Sequence, residues 1–481
     1  MAAQHGNDPS TIVSISKIVP VYPKLVQPER VLTLSNLDRQ CPKLMHLVFF
    51  YDNLSSQTLK DLPLNSVFSS LKSGLEQTLT LWYPGAGRLI RHNQSDGKLN
   101  LWCNNHGAVL AQAETLVKIS QLGNLCEYNE LFEKLVYKPA FDGNFSNMPL
   151  IVAQVTRFGC GGYSIGIGTS HSLFDGPANY EFLYAWASNS EIVKGRRRCS
   201  DDELPKPVHE RGILLLSGNL QAPRGTTNAH NNKEARAMAI DHLYQLIMQA
   251  ASGQKGFDPL HIGRGPSNQN NKCVLKTYHF SGAIIDDLKR KHFPMLRGSL
   301  HFSTFEILVA HLWKARTKAL EVKKEKLVCL QFAVDIRKKV LPSLPRGFSG
   351  NAYVLASIMI SAGELHQASY ECIIEKIRKA KNNVNHEYVK GYVEALEAAG
   401  PQGSSDLPPL KELTLVSDWT RMPFHNIEFF HGSKAAYACP LATPISQVAY
   451  FMQSPIDSRG VDVRIGFEAE SISSAFTQCF L

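Results

Sequence analysis

The chain has 481 residues, too many for one ordinary compact core and enough for two domains of similar size. Hydrophobic residues make up 44% and charged residues 19%, the range of a soluble globular protein. The formal net charge of +9 is spread thinly and does not interleave with aromatics, which argues against a nucleic-acid partner and is compatible with weak attraction for an anionic ligand.

In chain order, residues 1–10 are polar and read as a frayed end without the basic patch and apolar core of a signal peptide. Met45–Tyr51 reads as a strand with apolar residues on both faces, hence covered on both. Leu59–Leu81 carries Leu64, Val67, Leu71, Leu75 and Leu79 at helical spacing, and Trp82–Gly87 breaks it. Leu99–Cys103 reads as a strand, and Ala108–Ala113 continues the sheet. Ile151–Gly168 gives two strands joined at the glycine-rich turn Phe158–Gly162, and a helix follows over Pro177–Ala187. Residues 188–235 hold the basic run Lys194–Arg198, three prolines and the polar stretch Thr226–Lys233, the composition of a long crossing segment. Ala235–Ala251 reads as a helix and residues 252–272 as loop. The second half offers a strand at Val274–Phe280 and helices at Ala283–Lys291 and from Ser303 through Leu320. Strands at Leu327–Val334 and Ala352–Ile360 follow, then a long helical region at Ala368–Ala398 and late strands at Gln447–Met452 and Val461–Phe467. Strand and helix without strict alternation predict a mixed α+β fold with mixed sheets rather than a doubly wound parallel one.

The ten cysteines stand singly with no C-x-x-C pair, which argues against a zinc site or a disulfide framework and fits a reducing, cytoplasmic compartment. No apolar run approaches the length of a membrane span. Cys479 is third from the end, not fourth, so Gln478–Leu481 is not a prenylation box.

The candidate chemistry centres on His171-Ser172-Leu173-Phe174-Asp175-Gly176, at the handover from strand to helix. A histidine fixed there suits a general base that takes a proton from an alcohol or amine attacking an acyl carbon. Spacing alone is weak: with 17 histidines, roughly one His-x-x-x-Asp match is expected by chance, and a second occurs at His92–Asp96. His92 lies in a run of turn formers, an exposed hairpin loop, whereas His171 lies between apolar segments where a side chain is held and partly dried. On spacing alone, a hydrogen-bonded core histidine remains the commoner role.

Other blocks stand in order along the chain. They are Leu34-Ser35-Asn36-Leu37-Asp38, Tyr83-Pro84-Gly85-Ala86-Gly87-Arg88-Leu89, Ser303-Thr304-Phe305-Glu306 through Trp313, and Asp335-Ile336-Arg337 with Leu344-Pro345 and Gly350-Asn351. With the hexapeptide, they resemble the L-S-x-x-D, Y-P-x-A-G-R-L, S-x-F-E, D-x-R…L-P…G-N and H-x-x-x-D-G motifs of the plant BAHD acyltransferases. The resemblance implies two chloramphenicol-acetyltransferase-like domains joined by a crossover loop, here 1–190, 191–235 and 236–481, with a solvent channel holding the motif histidine. It implies a monomer, acyl-CoA as co-substrate, no permanently bound cofactor or metal, and direct transfer without an acyl-enzyme. His171 is then the base. Asp175 caps the following helix and pairs with Arg337 in a structural role. Ser303 and Thr304, at a helix start with free N–H groups, and Lys276 are the expected CoA contacts. Trp419 or Thr420 are weaker oxyanion candidates.

One motif departs. Where the family has D-F-G-W-G, this chain has Glu428-Phe429-Phe430-His431-Gly432, matching only at Phe429 and Gly432. A middle glycine of positive φ would not be copied by Phe430, so local packing, more than chemistry, is placed in question. His431 offers a second imidazole, a poor candidate for a base. The departure leaves open a catalytically idle relative that binds small molecules or proteins. A condensation-type or carnitine-type acyltransferase of related fold fits the whole-chain blocks less well. Neither acyl donor (hydroxycinnamoyl, acetyl or other) nor acceptor (hydroxyl, or less favoured amine) follows from the sequence.

Overall fold

A computed structural model describes residues 13–40, 43–52, 62–91, 98–140, 142–190, 205–215, 239–246, 274–292, 302–397, 409–430, 432–441 and 446–481. The 92–97 loop with His92, the 194–198 basic run, the 226–233 stretch, the 252–272 loop and His431 lie outside them, as does all but 239–246 of the helix expected at 235–251.

Contacts divide the chain into two compact units. One comprises Met1–Leu215, Pro345–Asn351 and Pro423–Ala442; the other comprises Leu216–Leu344, Ala352–Met422 and Thr443–Leu481. The strands, in chain order, are β1 (Ser14–Val21), β2 (Arg30–Leu32), β3 (Leu44–Tyr51), β4 (Arg88–Arg91), β5 (Leu99–Cys103), β6 (Ala108–Glu114), β7 (Ile151–Arg157) and β8 (Tyr163–Ser170). They continue as β9 (Val274–Phe280), β10 (Leu327–Asp335), β11 (Tyr353–Ser361), β12 (Leu413–Trp419), β13 (Tyr437–Pro440), β14 (Val448–Gln453) and β15 (Val461–Phe467).

The first unit is built on a sheet of order β1-β6-β7-β8-β3-β13, with a small second sheet β2-β5-β4. Only β6 and β7 run parallel; the other neighbours are antiparallel. β13 pairs with β3, which is why the neighbouring Glu428–Gly432 stretch groups with this unit although it lies late in the chain. One face of the sheet is covered by the helices Leu64–Leu81 and Gly176–Asn189. Leu64, Val67, Leu71, Leu75 and Leu79 are buried, as their 3.6-residue spacing predicts. The Trp186 indole donates to Leu71 O (2.9 Å), and Thr169 Oγ1 donates to Asn179 Oδ1 (3.1 Å), locking the second helix to β8. The other face is covered by the 130–138 segment. Phe50 packs on Phe132 (4.9 Å between centroids), and Gln154 Nε2 donates to Lys134 O (2.9 Å).

That cover explains Gly166 in the pattern Ile165-Gly166-Ile167-Gly168, since a Cβ there would lie 2.0 Å from Leu135 O; a Cβ on Gly168 would instead lie 2.7 Å from Val152 Cγ2 and 2.8 Å from His46 Cδ2. The turn after β7 closes as the sequence predicts, with Phe158 N donating to Gly162 O (2.9 Å) and Gly161 at φ 84°.

The second unit has a sheet of order β11-β10-β12-β14-β15-β9. β12 lies parallel to both its neighbours and the remaining pairs are antiparallel, so this sheet too is mixed. Three expectations need correction. The single helical region at 368–398 is two helices, Tyr370–Asn383 and His386–Glu397, preceded by a third, Ala362–Gln367. Side chains of Ser369 and Asn385 cap the later two, on Cys372 N and Tyr388 N, and so break the run. The chain ends in a helix, Glu470–Phe480, not a strand; its serine-rich sequence hides an apolar stripe made by Phe476 and Phe480. β12 was not evident from composition.

Gly166→Ala is expected to lower stability by about 1–3 kcal/mol, because the new methyl meets a backbone carbonyl rather than a movable side chain. Urea unfolding measures it; an unchanged midpoint would mean that the 130–138 segment does not press on β8.

Candidate active site

β8 ends at Ser170, whose N–H donates to Leu150 O (2.8 Å), and the chain turns at once. His171 N donates to Lys43 O (2.9 Å), and Leu173 N folds back to Ser170 O (3.0 Å). The histidine is therefore held by its backbone at a strand end. Its side chain retains some accessible surface, yet enough protein crowds the ring that burial lowers its pKa below the ordinary 6.5. Its own carbonyl, the Asp175 carboxylate, the Asn351 amide and Asp38 pull the other way with lesser effect. The neutral, proton-accepting imidazole is thus favoured near neutrality.

The His171 carbonyl accepts from Asn351 Nδ2 (2.7 Å), and the same amide donates to Asp38 Oδ1 (3.0 Å). Asp38 is fully buried and saturated. Its Oδ1 also takes Asn351 N (3.0 Å). Its Oδ2 takes Ser35 N (3.0 Å), Ser35 Oγ (2.6 Å) and Arg211 Nε (2.8 Å). The L-S-x-x-D block is therefore a capping box on the short helix Asn36–Arg39, turned into an ion pair by Arg211. Gly350 stands where a Cβ would lie 2.7 Å from Arg211 Cζ, which accounts for the glycine of the Gly350-Asn351 pair. Arg211 also donates to His209 O (2.6 Å). His209 spans Leu81 O and Ser349 Oγ (2.8 Å each) against the rings of Trp82 and Tyr83, and burial lowers its pKa to about 4.

Asp175 stands at the start of the helix that follows the motif. It is the N-cap of Gly176–Asn189, with Oδ1 accepting from Ala178 N (3.1 Å) and Pro177 in the first turn. Arg337 bonds Asp335 (3.3 Å). The departed late motif is well packed. Phe429 lies against Phe49 and Trp186, and Phe430 lies between Tyr51 (4.9 Å) and Tyr163 (5.3 Å). Phe430 adopts no positive φ; Gly432 does (71°), and its N–H is held by the Glu428 carboxylate at 3.2 Å.

In the second unit, Ser303 is the N-cap of Thr304–Ala319 in a full capping box with Glu306, so Thr304 is not the cap. Glu306 is further clamped by Arg378 (2.9 Å). Thr304 and Thr420 meet on the wall of a cavity of about 320 Å³, together with Lys289, Arg459, Asp286 and Ser458. Lys276 does not line it; its ammonium lies 3.3 Å from Glu470. Trp419 does not line it either, and its indole N–H donates to Ser417 Oγ (2.9 Å). Thr420 donates to Asp418 Oδ1 through both its backbone N–H (3.0 Å) and hydroxyl (2.6 Å). Among the described residues no cluster of metal-ligating side chains occurs, and no helix is long and apolar enough to cross a membrane.

Residues 11–478 match the model of the Transferase family. The chain belongs to this family. It is 49% identical to brassinosteroid-related acyltransferase 1 of Arabidopsis thaliana over 98% of each chain, and 27% identical to fatty alcohol:caffeoyl-CoA acyltransferase of the same plant over 96% of each. Its fold matches vinorine synthase at a TM-score of 0.67, with 20% identity and 96% coverage of both chains. It also matches F. graminearum TRI101, determined with coenzyme A and T-2 mycotoxin, at a TM-score of 0.65, with 13% identity and coverage of 92% of this chain and 96% of that one. The plant BAHD resemblance is thereby established, and with it acyl-CoA-dependent acyl transfer.

In this transferase, Asp38, Arg211 and Asn351 are the site residues that sequence reasoning passed over. Asp38 and Asn351 stood inside recognised blocks whose roles were unassigned. Arg211, in a segment read only as a connection, carried no local signal at all.

The cap predicts a ranking for Asp175. Asp175→Ala is expected to lose about 1 kcal/mol through the cap alone, and Asp175→Asn, which keeps the capping oxygen, only a fraction of that. Loss on the order of 3–5 kcal/mol from both, measured by urea unfolding, would instead assign the residue to a buried ion pair.

Proposed function

We propose that this transferase moves an acyl group from acyl-CoA to a hydroxyl of a small plant metabolite, with His171 as general base. The supporting observation is a half-buried imidazole, kept neutral by burial and fixed through its own carbonyl by Asn351. The acceptor hydroxyl gives its proton to the imidazole as its oxygen bonds to the thioester carbon. The tetrahedral oxyanion then collapses, the C–S bond breaks, and the imidazolium returns the proton to the departing CoA thiolate. No acyl-enzyme forms. Asp175 supports the turn through its cap without touching the reacting atoms.

Trp419 or Thr420 serves the oxyanion only by giving up its local partner, Ser417 or Asp418. For CoA, the cavity beside the Thr304–Ala319 helix start holds two cations, Lys289 and Arg459, the second paired with Asp286 (3.0 Å). Lys289 is therefore the better phosphate contact than Lys276, whose charge is met by Glu470. The names of the similar plant enzymes favour an alcohol, steroidal or long-chain, over an amine. Cysteines that stand singly in the sequence, with no C-x-x-C pair, fit a cytoplasmic enzyme, which we take to be a monomer.

Incubation with a panel of acetyl-, aliphatic and hydroxycinnamoyl-CoA donors against hydroxysteroids and long-chain alcohols, read by thiol release and mass spectrometry, tests the reading. His171→Ala is expected to lower kcat/KM by about 10²–10⁴-fold; full retention would remove the base assignment. Because the base must be neutral and its pKa is lowered, the acid limb of the kcat/KM profile is expected below pH 6.5, with activity lost as pH falls through it. Lys289→Ala is expected to raise the KM for acyl-CoA with kcat little changed; an unaltered KM would move the phosphate site elsewhere.

A further inference from the structure

Asp38 lies nowhere on the reacting groups, yet it is the point at which three otherwise separate pieces of the first unit are joined. These are the Ser35–Asp38 capping box, Arg211 of the 205–215 segment, and Asn351 of the 345–351 segment. Only Asn351 reaches the motif histidine, and it does so with the same Nδ2 group that it gives to Asp38. The orientation of that amide is thereby fixed: Asp38 Oδ1 accepts from both the backbone N–H and the side-chain N–H of Asn351, which forces the second amide hydrogen toward the His171 carbonyl. A neutral residue at 38 would leave Arg211, itself buried, without its counter-charge and would loosen the amide.

We propose that Asp38 is a positioning residue for His171, acting through Asn351 and itself held by Arg211. The inference rests on His171 as the base, but its primary test does not. The full chain, labelled with ¹⁵N-histidine, carries 17 histidines, and the His171 ring signal is identified by its loss in His171→Ala. In Asp38→Asn that signal is expected to move and to titrate at lower pH, since a carboxylate that favours the imidazolium has been removed, while the Asp175 carboxylate beside the ring is unchanged. Asn351→Ala keeps the Asp38–Arg211 pair and removes the relay together with the amide's own pull on the ring, so it is expected to move the same signal. It also serves where Asp38→Asn does not fold. With any donor and acceptor turned over in the panel, kcat is expected to fall on the order of 10²-fold. The KM for acyl-CoA is expected to stay within about twofold, because ground-state binding is not what the relay controls. Arg211→Lys, which keeps the charge but not the Nε geometry, should fall between wild type and Asp38→Asn. A folded variant of either kind with the His171 signal and kcat unchanged overturns the proposal. A moved signal in a protein that turns over nothing upholds the positioning and removes the acyltransfer reading instead.

Discussion

The structure of the first unit hangs on one buried carboxylate. Asp38 is fully enclosed, and an enclosed charge without compensation costs several kcal/mol. Here compensation is complete: a guanidinium, a hydroxyl and three N–H groups converge on its two oxygens. Removing one partner of such a pair is destabilising by about 3–5 kcal/mol, so the sequences at 35–38, 211 and 351 are constrained as a set although they are far apart in the chain. The constraint extends to the residues around the arginine. Gly350 must lack a side chain because Arg211 occupies that space, and Phe348 lies 5.7 Å from the Arg211 guanidinium.

This arrangement also concerns where the chain leaves the unit. The first unit's main segment ends at Leu215, four residues after Arg211, and its second segment ends at Asn351 itself. Two of the unit's three exits are thus pinned near the carboxylate that sits behind the motif histidine. A connection is ordinarily where a chain tolerates change. The 205–215 segment does not behave so, since Val208, His209 and Arg211 each bond into the unit: Val208 to Gly347, His209 to Leu81 and Ser349, Arg211 to Asp38.

How much of this is legible in the sequence depends on the range of the interaction. The Leu64–Leu81 helix, β7 and β8, the Ser303 capping box and the Asp175 cap all follow from residues within four positions of each other, and each is found where the local pattern puts it. The terminal helix escaped because its stripe is two phenylalanines four apart among serines, too little periodicity to count. The 368–398 run was misread because its breaks are caps, and Ser369 and Asn385 are not turn formers strong enough to announce themselves beside good helix formers. At the site, His171 and Asp175 were visible, while the Asp38–Arg211 pair spans 173 positions and has no local signature. The L-S-x-x-D block held half of it unread: the spacing of Ser35 and Asp38 is that of a capping box, but nothing nearby reveals that the same acid also serves an arginine.

The altered late motif bears on whether this chain is a working enzyme or an idle relative. A motif in decay leaves a cavity or an unmet polar group where the lost side chain used to be. No unmet buried polar side chain is seen at the described positions of this one. Phe430 is completely buried against two tyrosine rings, Tyr51 turns its hydroxyl to Ile427 O (2.7 Å), and the Glu428 carboxylate meets Gly432 N. These residues pack on β3 and β8, the strands that carry Lys43 and His171 at their ends, so slackness here would reach the histidine. The substitution of a bulky aromatic for a small residue has instead been absorbed by the surrounding rings. The strand that ends at the motif histidine is thus supported without a gap in its aromatic packing, and the departure from the family pattern supplies by itself no ground for the idle alternative.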